Sequence, residues 1–573
     1  TINLNKLDTV SFIGGSLTYD TIRVYTNELE VYNDNSITLL SLASNSNLTL
    51  DNGSIQNIDS LETQGACGSY TRIHSLDDGL ASAQLNKTGN PILYLSNIDV
   101  NNVDASVPAI YNIQLSDTIN GADGWNHIGT SYFWISDGGS WSDTSHWSFS
   151  TGGPIAGCSP GQPDFVIFDD LSFTAAGEVV LVDSLAKFTS MDWSTTAFPA
   201  TLDLDTNIET FGDITFYNDL FVTRDSTQHS LKFMQQSNFS PDSALVDCNI
   251  GVFMPLTDSL LLISDLIMID STAIILFGGR TYSQGNYIRT GSILSIDNPL
   301  DPLDARLLDF GSSTIAIIRN FDSELDPAFT FNGGTSNLTI ADTSNFINNL
   351  ETGGLTFYNV TLDFQTLTTN IPTPGTPLLQ RVTGNNTFNE LRILKGSSVY
   401  FASASTQTIN DSLVIVGNCR DSIFISTTDT ASFVAANLNK AITTDISVQC
   451  VDISGMSNST GNITALFSKD NTNNTNWTFD ATPPITAGFF TNGPFCFGDT
   501  TLFTDTTSTF PIPTAYSTEW YYNDNTTGFF EYPPNTTDSI FINYEEDTLQ
   551  HLFGLAGSLN VELVAIGENF CTD

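Results

Sequence analysis

Basic residues are scarce in this chain of 573 residues. It holds 17 Lys and Arg against 63 Asp and Glu, which gives a formal net charge of −46 at pH 7. A surface of this sign repels nucleic-acid phosphates and anionic lipid headgroups, so we expect no nucleic-acid partner. Only 14% of the residues are charged, and Asn, Ser and Thr supply most of the polar surface. This composition is typical of extracellular β-proteins, whose turns need these residues.

Long apolar runs are also missing. No stretch of about 18 apolar residues occurs, and the longest candidate, from Ser259, is interrupted by Asp265 and Asp270. We therefore expect no direct membrane insertion. The chain starts at Thr1, without a methionine or a signal peptide, and we expect a mature product or an excised fragment of a longer protein.

Catalytic and metal-binding motifs are absent as well. The five histidines are scattered, and the sequence contains no H-E-x-x-H, G-x-S-x-G or phosphate-binding loop. No C-x-x-C occurs either, which disfavours zinc and redox sites. With 63 acidic residues, carboxylate pairs arise from composition alone and indicate glycosidase chemistry only weakly. We therefore expect no enzymatic activity.

Two acidic pairs are the only candidates for a cofactor. Asp203 and Asp205 in "LDLDTN" and Asp301 and Asp304 in "DPLDA" carry closely spaced carboxylates. Calcium binds through such oxygen ligands. The competing interpretation of both pairs is a solvated turn.

Short apolar runs fill the rest of the chain. They are rich in Ile, Leu, Phe and Val, and Asp, Asn, Ser and Gly separate them. No apolar stripe follows the helical period, and good helix formers are sparse. The pattern predicts an all-β fold.

Two parts of the chain match each other. The main match consists of four pairs of identical residues, each 352 positions apart: Asp59 and Asp411, Cys67 and Cys419, Ser116 and Ser468, and Trp125 and Trp477. Upstream of this match, "TYDTIRV" (18–24) resembles "TFNELRI" (387–393) at the larger offset of 369. The difference predicts that the first copy carries an additional rung-sized stretch there. Such a repeat predicts a modular architecture.

The repeat divides the chain into three predicted domains. Residues 1–128 are the C-terminal part of a first repeat unit, and residues 129–480 are a complete second unit. Residues 481–573 follow the stiff dipeptide Pro483–Pro484. Many short strands with loose self-similarity predict that each unit is a β-solenoid, or β-helix-like coil, whose rungs bury their faces by stacking on their neighbours. A string of β-sandwiches is the alternative.

Aromatic residues are concentrated at the start of the second unit. The stretch "YFWISDGGSWSDTSHWS" (132–148) holds Trp134, Trp141 and Trp147, three of the seven tryptophans. We interpret them as a structural cap and core where the unit begins. The alternative is a platform on which sugar rings stack, which requires exposed indole rings.

The last segment resembles a known domain family. The similarity covers Phe503–Asp505, Trp520 and "HLFGLAGSLNVELVAIG" from His551. These residues resemble a polycystic-kidney-disease (PKD) type domain, which is common in bacterial surface proteins. The Gly-Asp-Gly turn of that family is replaced by Asn523–Asn525, which puts any role tied to that turn in doubt. The resemblance implies an immunoglobulin-like β-sandwich with Trp520 as its buried aromatic residue.

The tryptophan-rich opening has a resemblance of its own. Its pattern of Trp, Gly, Ser and Asp, continued by "PDFVIFDDLSF", looks like a module opening in giant bacterial adhesins exported by the type IX route. The closing "NTNNTNWTF" is also similar to theirs. The resemblance implies that the chain is an interior slice of a long, extracellular protein attached to the cell surface.

Seven cysteines in an exported chain predict disulfides, with one cysteine left over. Cys496 and Cys571 bracket the last domain, and we expect them to pair. Cys419 and Cys450 form the second expected pair. Cys67 is then free, or it pairs with Cys158 or Cys248.

These features predict a non-enzymatic structural and adhesive segment, a stiff stalk in a surface protein or in a filament-like or hook-like appendage. The expected partners are other domains of the same chain, the surface or glycans of a target, and further copies in a homo-oligomeric bundle. The alternative functions are a carbohydrate-binding module and a secreted polysaccharide-degrading β-helix enzyme with an accessory domain.

Overall fold

The all-β prediction is confirmed in the described part of the chain. The computed structural model describes residues 2–4, 10–13, 17–25, 28–67, 69–76, 81–88, 92–105, 110–114, 119–120, 123–296, 305–323, 327–341, 348–364, 380–418, 421–427, 434–440, 444–480, 485–492, 500–509, 516–521, 539–543, 548–552 and 561–567. Over these ranges the regular elements are β-strands, apart from one short 3-10 turn at Thr144–His146. In the same ranges no helix has the length and hydrophobicity that a membrane crossing requires.

The strands between Ile2 and His127 are β1 (Ile2–Leu4), β2 (Val10–Ile13), β3 (Leu17–Val24), β4 (Glu28–Tyr32), β5 (Asn35–Ala43), β6 (Asn47–Leu50), β7 (Ile55–Gln64), β8 (Thr71–Ser75), β9 (Ala83–Lys87), β10 (Ile92–Ser96), β11 (Ile98–Asn101), β12 (Val103–Ala105), β13 (Ile110–Gln114), β14 (Ile119–Asn120) and β15 (Trp125–His127).

The next strands are β16 (Ser131–Trp134), β17 (Gly139–Ser140), β18 (Trp147–Ser148), β19 (Phe165–Ile167), β20 (Glu178–Val182), β21 (Ala186–Phe188), β22 (Ser190–Asp192), β23 (Ala200–Leu204), β24 (Ile208–Thr210), β25 (Ile214–Thr215), β26 (Phe221–Arg224), β27 (Ser230–Phe233), β28 (Ser237–Ser240), β29 (Leu245–Val246), β30 (Asn249–Val252), β31 (Ser259–Leu262), β32 (Leu266–Met268), β33 (Ala273–Leu276), β34 (Gly279–Tyr282), β35 (Tyr287–Ser295) and β36 (Arg306–Asp309).

The strands from Thr314 to Asp480 are β37 (Thr314–Asp322), β38 (Phe329–Asn332), β39 (Asn337–Ala341), β40 (Asn348–Glu351), β41 (Thr356–Asp363), β42 (Gln380–Val382), β43 (Thr387–Leu394), β44 (Ser398–Phe401), β45 (Thr406–Val416), β46 (Ile423–Thr427), β47 (Ala436–Lys440), β48 (Ile446–Gln449), β49 (Val451–Ile453), β50 (Met456–Ser457), β51 (Ile463–Leu466), β52 (Lys469–Asp470) and β53 (Trp477–Asp480).

The strands of the last segment are β54 (Ile485–Thr486), β55 (Phe489–Thr491), β56 (Thr500–Asp505), β57 (Ser508–Thr509), β58 (Tyr516–Tyr521), β59 (Ser539–Asn543), β60 (Thr548–Leu552) and β61 (Glu562–Gly567).

The strands β1 to β15 form parallel sheets in which the chain returns to each sheet about once per coil. The sheets follow the orders β1-β3-β5-β7-β9-β12, β2-β4-β6-β8-β11-β14 and β10-β13-β15. Within the first sheet, Leu17 lies opposite Asn35 and Ile55 lies opposite Gln84. Parallel neighbours cannot be joined by a tight hairpin, so the chain must cross over between them. The arrangement is compatible with a β-helix-like fold.

Side chains alternate between a core and the solvent in these sheets, as a strand period of two requires. In β4, for example, Leu29 and Val31 are buried while Glu28 and Glu30 point outward. The inward side chains between Ile22 and Ile113 form one apolar core, against which Trp125 packs. Each strand therefore buries its apolar face only because the next strand stacks on it.

Parallel stacking continues after β15 with a different set of strands. One stack runs β16-β19-β22-β25-β28-β31-β34-β36, a second β17-β20-β23-β26-β29-β32, and a third β21-β24-β27-β30-β33. From Thr314 to Asp480 the stacks are β37-β39-β41-β43-β45-β47-β50, β40-β42-β44-β46-β49-β52 and β45-β48-β51-β53. The sheets change at residues 128–130, where the sequence predicts a domain boundary.

The chain divides into two compact units, Thr1–Thr290 with Asp297–Asp309 and Gly291–Ile296 with Phe310–Asp573. The pairing becomes antiparallel after Asp480, in three small sheets with the orders β54-β57, β55-β56-β60 and β59-β58-β61. Trp520 of β58 is buried there, with its ring 5.5 Å from that of Phe503 and 5.1 Å from that of Phe489. The predicted boundaries at 128 and 480 stay predictions.

The two matching segments have the same internal architecture. Asn35 Nδ2 donates to Gln56 Oε1 at 3.1 Å, and Asn386 Nδ2 donates to Gln407 Oε1 at 3.1 Å, so the buried amide pair of the first copy recurs in the second. Each Gln side chain also donates to a serine hydroxyl two positions earlier. Further on, β13 meets β15 with Tyr111 opposite Trp125, and β51 meets β53 in the equivalent register, with Trp477 in the place of Trp125.

The prediction that the first copy carries an additional stretch upstream of the main match is wrong. The amide pairs show that β5 corresponds to β43, whereas the sequence match aligned β43 with β3, one strand too early. In the first copy, Tyr19 of β3 lies opposite Ile37 of β5. In the second copy, Phe357 of β41 lies opposite Phe388 of β43, and more residues of the chain separate this pair. The second copy is therefore the longer one here. The error arose because successive strands of the stack resemble one another.

The recurring amide pair gives a matched stability test. We expect Gln56→Leu and Gln407→Leu each to lower the free energy of unfolding of its compact unit by about 2 kcal/mol, because each removes one acceptor of a buried Asn amide and the donor to a serine hydroxyl and to a backbone carbonyl oxygen. Urea unfolding followed by circular dichroism measures both. Gln84→Leu, on the exposed side of β9, is the control and should change little. A large loss at one site only would contradict the equivalence of the two copies.

Candidate functional site

The three tryptophans of the predicted cap lie together where the parallel stacks after β15 begin. β16 and β18 pair antiparallel with Trp134 opposite Trp147, and Trp141 follows β17. The ring of Trp147 lies 4.9 Å from that of Trp134 and 4.9 Å from that of Trp141, in both cases edge-on. Relative exposure is 0% for Trp134 and Trp147 and 2% for Trp141. The rings therefore pack on one another.

The indole N–H groups of Trp134 and Trp147 are satisfied inside the cluster. Trp147 Nε1 donates to the carbonyl oxygen of Trp141 at 2.9 Å, and Trp134 Nε1 donates to that of Asp137 at 2.6 Å. His146 stacks on Trp134 at 4.8 Å, and its Nδ1 is 3.0 Å from the carbonyl oxygen of Ile135. Because the rings are buried and these N–H groups are occupied, no indole face is left for a sugar, and the geometry favours the cap over the stacking platform.

A tight turn sets the position of His146. The carboxylate of Asp143 accepts the backbone N–H of Ser145 at 2.9 Å and so caps the 3-10 turn. This bond and that from the Ser145 hydroxyl hold the pKa of Asp143 below its usual range. A β-carbon on Gly139 would lie 2.1 Å from His146 Nε2, so only glycine fits beside the imidazole.

The aromatic cluster extends beyond the residues found in the sequence. Phe168 stacks on Trp193 at 3.6 Å and lies parallel to Phe173 at 6.2 Å, and Phe168 also packs against Trp134 at 5.7 Å. Phe168 and Trp193 follow β19 and β22, which are paired strands. Their contact depends on which strands stack. The sequence shows only that each of the two residues follows a short strand, which does not predict that they meet.

Cys67 pairs with Cys158, one of the three outcomes left open by the sequence. Their Cα atoms are 5.1 Å apart, and 91 positions separate the two residues. The hydroxyl of Tyr132 in β16 is 3.1 Å from Cys158 Sγ. The disulfide therefore connects the segment between β7 and β8 to the segment between β18 and β19. A disulfide is typical of proteins in oxidising compartments.

The remaining cysteines are only partly described. Cys248 is fully buried, and this burial raises the pKa of its thiol to about 12, so the thiol is unreactive at neutral pH. Cys450 is also buried. Cys419, Cys496 and Cys571 lie outside the described residues, so the Cys419–Cys450 and Cys496–Cys571 pairs stay predictions.

A buried carboxylate lies beside the disulfide-linked segment. Asp164 is 5% exposed and accepts the N–H of Thr130 at 2.9 Å and that of Gly161 at 3.0 Å. Burial raises the pKa of Asp164 to about 6, although the two backbone hydrogen bonds oppose this shift. The carboxylate ties Thr130, just before β16, to the loop before β19.

The raised pKa of Asp164 predicts a pH dependence. A carboxyl whose pKa is higher in the folded state than its ordinary value of 3.8 contributes most below pH 4, and its contribution falls as the pH rises through 6. The free energy of unfolding of the wild type should thus fall relative to Asp164→Asn by about 3 kcal/mol at most between pH 4 and pH 7. Urea titrations at several pH values measure this difference. Parallel pH curves for the two proteins would contradict it.

The calcium candidates remain without support. Asp203 points outward from β23, and burial, followed by the charges of Asp205 and Asp225, raises its pKa. Among the residues that the structure describes, no group of three or more His, Cys, Asp or Glu side chains is placed to hold a metal ion. Asp301 and Asp304 lie outside those residues.

One outer face gathers acidic and basic side chains that the sequence did not connect. His74 Nε2 is 3.0 Å from Thr49 Oγ1, and Thr49 Oγ1 donates to Glu28 Oε1 at 3.1 Å. Next to them, Arg72 Nε lies 3.6 Å from Asp99 Oδ2. These residues come from β4, β6, β8 and β11, which stack in register. Thr49 itself is buried, so its hydroxyl is not available as a nucleophile.

Comparison with known proteins gives no relative from which to transfer a role: no protein-family model, no curated protein and no solved structure matches this chain.

Proposed function

We propose that the chain is a non-enzymatic structural and adhesive segment of a large extracellular surface protein, in which the stacked strands form stiff stalk modules. The observation that carries this proposal is the parallel, in-register stacking, for example Glu178–Val182 opposite Ala200–Leu204 and Thr201–Leu204 opposite Phe221–Arg224. Bending such a stack requires stretching backbone hydrogen bonds on one side and crowding the packed core on the other. Rungs of this kind suit a spacer.

The proposal includes the finer architecture. The parallel stacks are β-solenoid rungs, and residues 481–573 are an immunoglobulin-like β-sandwich of the PKD kind. The return of the chain to the same parallel sheet once per coil supports the first assignment. The antiparallel strands and the buried Trp520, packed against Phe503, support the second.

An extracellular, surface-attached location and export by the type IX route belong to the same proposal. The Cys67–Cys158 disulfide supports an oxidising environment outside the cell, and the net charge of −46 would keep a long exported chain soluble. Several of the few cations lie where they relieve acidic repulsion. Lys187 Nζ is 3.1 Å and Lys232 Nζ is 3.8 Å from the two carboxylate oxygens of Glu209, which lies between them in the stack.

Other domains of the same long chain, target surfaces or glycans, and a bundle of copies are the proposed partners. An outer row of mostly apolar side chains supports the bundle. Val179, Phe221, Leu245 and Ile267 lie in register, with Thr201 between the first two, and Val179 and Leu245 are 40% and 41% exposed. Analytical ultracentrifugation tests this partner. A strictly monomeric protein at high concentration would remove the bundle from the proposal and leave the stalk.

Single-molecule force spectroscopy tests the stalk. With the chain held at its two ends, we expect discrete unfolding events at forces above those of a small helical protein pulled in the same setup. Smooth extension at low force would overturn the proposal. The measurement does not depend on knowing the target surface.

A second candidate is a polysaccharide-degrading enzyme, which one observation favours. The outer face of β4, β6, β8 and β11 brings Glu28, Arg72, His74 and Asp99 together, and carboxylates beside basic groups suit acid–base chemistry. Incubation with a panel of acidic and neutral polysaccharides, with mass spectrometry of the products, tests it. Cleavage of a polysaccharide that His74→Ala abolishes would establish the enzyme. If no polysaccharide in the panel is cleaved, the stalk remains the proposed function.

A further inference from the structure

We infer that residues 128–130 are a rigid joint and that the Cys67–Cys158 disulfide sets its stiffness. The joint connects β15, the last strand of the first set of sheets, to β16, the first strand of the next set. The inference rests on the proposed stalk function, for which load must pass between successive repeat units.

The backbone of the joint is held from both sides. The N–H of Ile128 donates to the carbonyl oxygen of Ile113 at 2.7 Å, in the set of strands before the joint. The N–H of Thr130 donates to the buried carboxylate of Asp164, and its carbonyl oxygen accepts the N–H of Phe165 at 2.9 Å, after the joint. A hinge needs backbone groups that are free to rotate, and here these groups of Ile128 and Thr130 are engaged.

Gly129, in the middle of the joint, is pressed against the chain that follows. A β-carbon at this position would lie 2.2 Å from the carbonyl oxygen of Pro163 and 2.8 Å from the ring of Phe165. Any other side chain would push the two segments apart. The close approach blocks bending toward Pro163 and Phe165 and leaves only bending away from them, which the disulfide must prevent.

The disulfide braces the joint at a second point. Cys67 belongs to the strands before the joint, and Cys158 to the segment after it, where the Tyr132 hydroxyl contacts its sulfur. A bend at residues 128–130 must therefore move Cys67 relative to Cys158, which the covalent bond prevents. Two points of attachment remove the bending motions that a single one permits.

The brace can be opened chemically. Cys67 is half-buried and so is within reach of a small reductant, whereas Cys158 is 8% exposed. A dithiol such as dithiothreitol supplies two electrons and two protons. The sulfur–sulfur bond becomes two thiols, and the dithiol is oxidised to its own cyclic disulfide. We expect the reduced joint to gain bending freedom while the stacked strands on both sides remain folded.

Spin-label distances across the joint test this inference. Glu62 and Thr195, both exposed, are replaced by a ketone-bearing amino acid so that labelling leaves every thiol untouched. Electron double resonance should give one narrow distance distribution in the oxidised protein. That narrow peak should be lost after dithiothreitol treatment, in Cys67→Ser/Cys158→Ser and in Gly129→Ala. Cys248→Ala, away from the joint, is the matched control and should keep it.

Two results would overturn the inference. A broad distribution in the oxidised wild type would show that the joint is not rigid. A narrow distribution after reduction, with both thiols verified by mass spectrometry and the fold by circular dichroism, would show that the disulfide does not set its stiffness. Either result leaves the force measurement on the stalk unaffected, so the two proposals fail separately.

Discussion

Replacing Trp147 by alanine is expected to lower the free energy of unfolding of its compact unit by about 3 to 5 kcal/mol. The ring is fully buried and lies edge-on to Trp134 and Trp141, and Tyr132 packs on it at 6.2 Å. These large, rigid neighbours cannot collapse into the space left by an indole. The substitution also removes the donor to the carbonyl oxygen of Trp141. Urea unfolding followed by far-ultraviolet circular dichroism measures the loss.

Phe149→Ala is the matched control for this experiment. Phe149 is 42% exposed, and its ring lies 5.1 Å from that of Tyr132, so the substitution removes an aromatic ring near the cluster but not from its centre. We expect a loss of less than about 1 kcal/mol. If Trp147→Ala were as mild as Phe149→Ala, the tryptophans would not be a structural cap. A sugar-stacking platform would instead lose glycan binding without losing stability.

Local patterns account for what the sequence predicted correctly. The strands are short, alternate in burial and end at turn residues, so an all-β fold follows from the period of two and from turn chemistry. The burial of Trp520 was expected from the resemblance of the last segment to a PKD-type domain, and Trp520 is buried in β58. The repeat at 352 positions was visible because the main match keeps its register through identical residues such as Trp125 and Trp477.

The sequence could not predict which strands contact each other across the stack. Stacked strands resemble one another in their apolar pattern, so a single match can be misplaced by one strand of the stack, as happened with β3 and β43. Only a rare buried polar group such as Gln56 fixes the register, because its partner must lie in the neighbouring strand. The stacking of Phe168 on Trp193 depends on the same vertical register.

The choice of partner for Cys67 illustrates the same limit. Gly65 approaches the carbonyl oxygen of Asn97 in the first copy, and Gly417 approaches that of Cys450 in the second, with virtual β-carbons at 2.2 and 2.5 Å. Asn97 therefore stands where the second copy has Cys450. Without a cysteine at that place, Cys67 pairs with Cys158, a contact that exists only because the following segment is positioned beside it.

Removing this bond is the second large effect that we expect. In the chain-entropy account, a cross-link between residues 91 positions apart lowers the entropy of the unfolded chain enough to stabilise the fold by about 4 to 5 kcal/mol. Cys67→Ser/Cys158→Ser should lose this stability, seen as a lower urea midpoint of its unit. Cys248→Ala, which removes a buried thiol without a cross-link, should lose only about 1 kcal/mol.

Cys67→Ser/Cys158→Ser should also increase the length that the chain gains when it unfolds under force. This length distinguishes the effect of the cross-link from that of ordinary packing. An intact disulfide withholds the 91 positions between its cysteines from extension, or about 300 Å at roughly 3.4 Å per residue. The unfolding of this unit should therefore release about 300 Å more in Cys67→Ser/Cys158→Ser than in the oxidised wild type. Equal lengths would mean that the bond does not form in the native protein. A full length gain with an unchanged urea midpoint would mean that the bond forms but stabilises nothing, because the stacked strands already hold Cys67 beside Cys158.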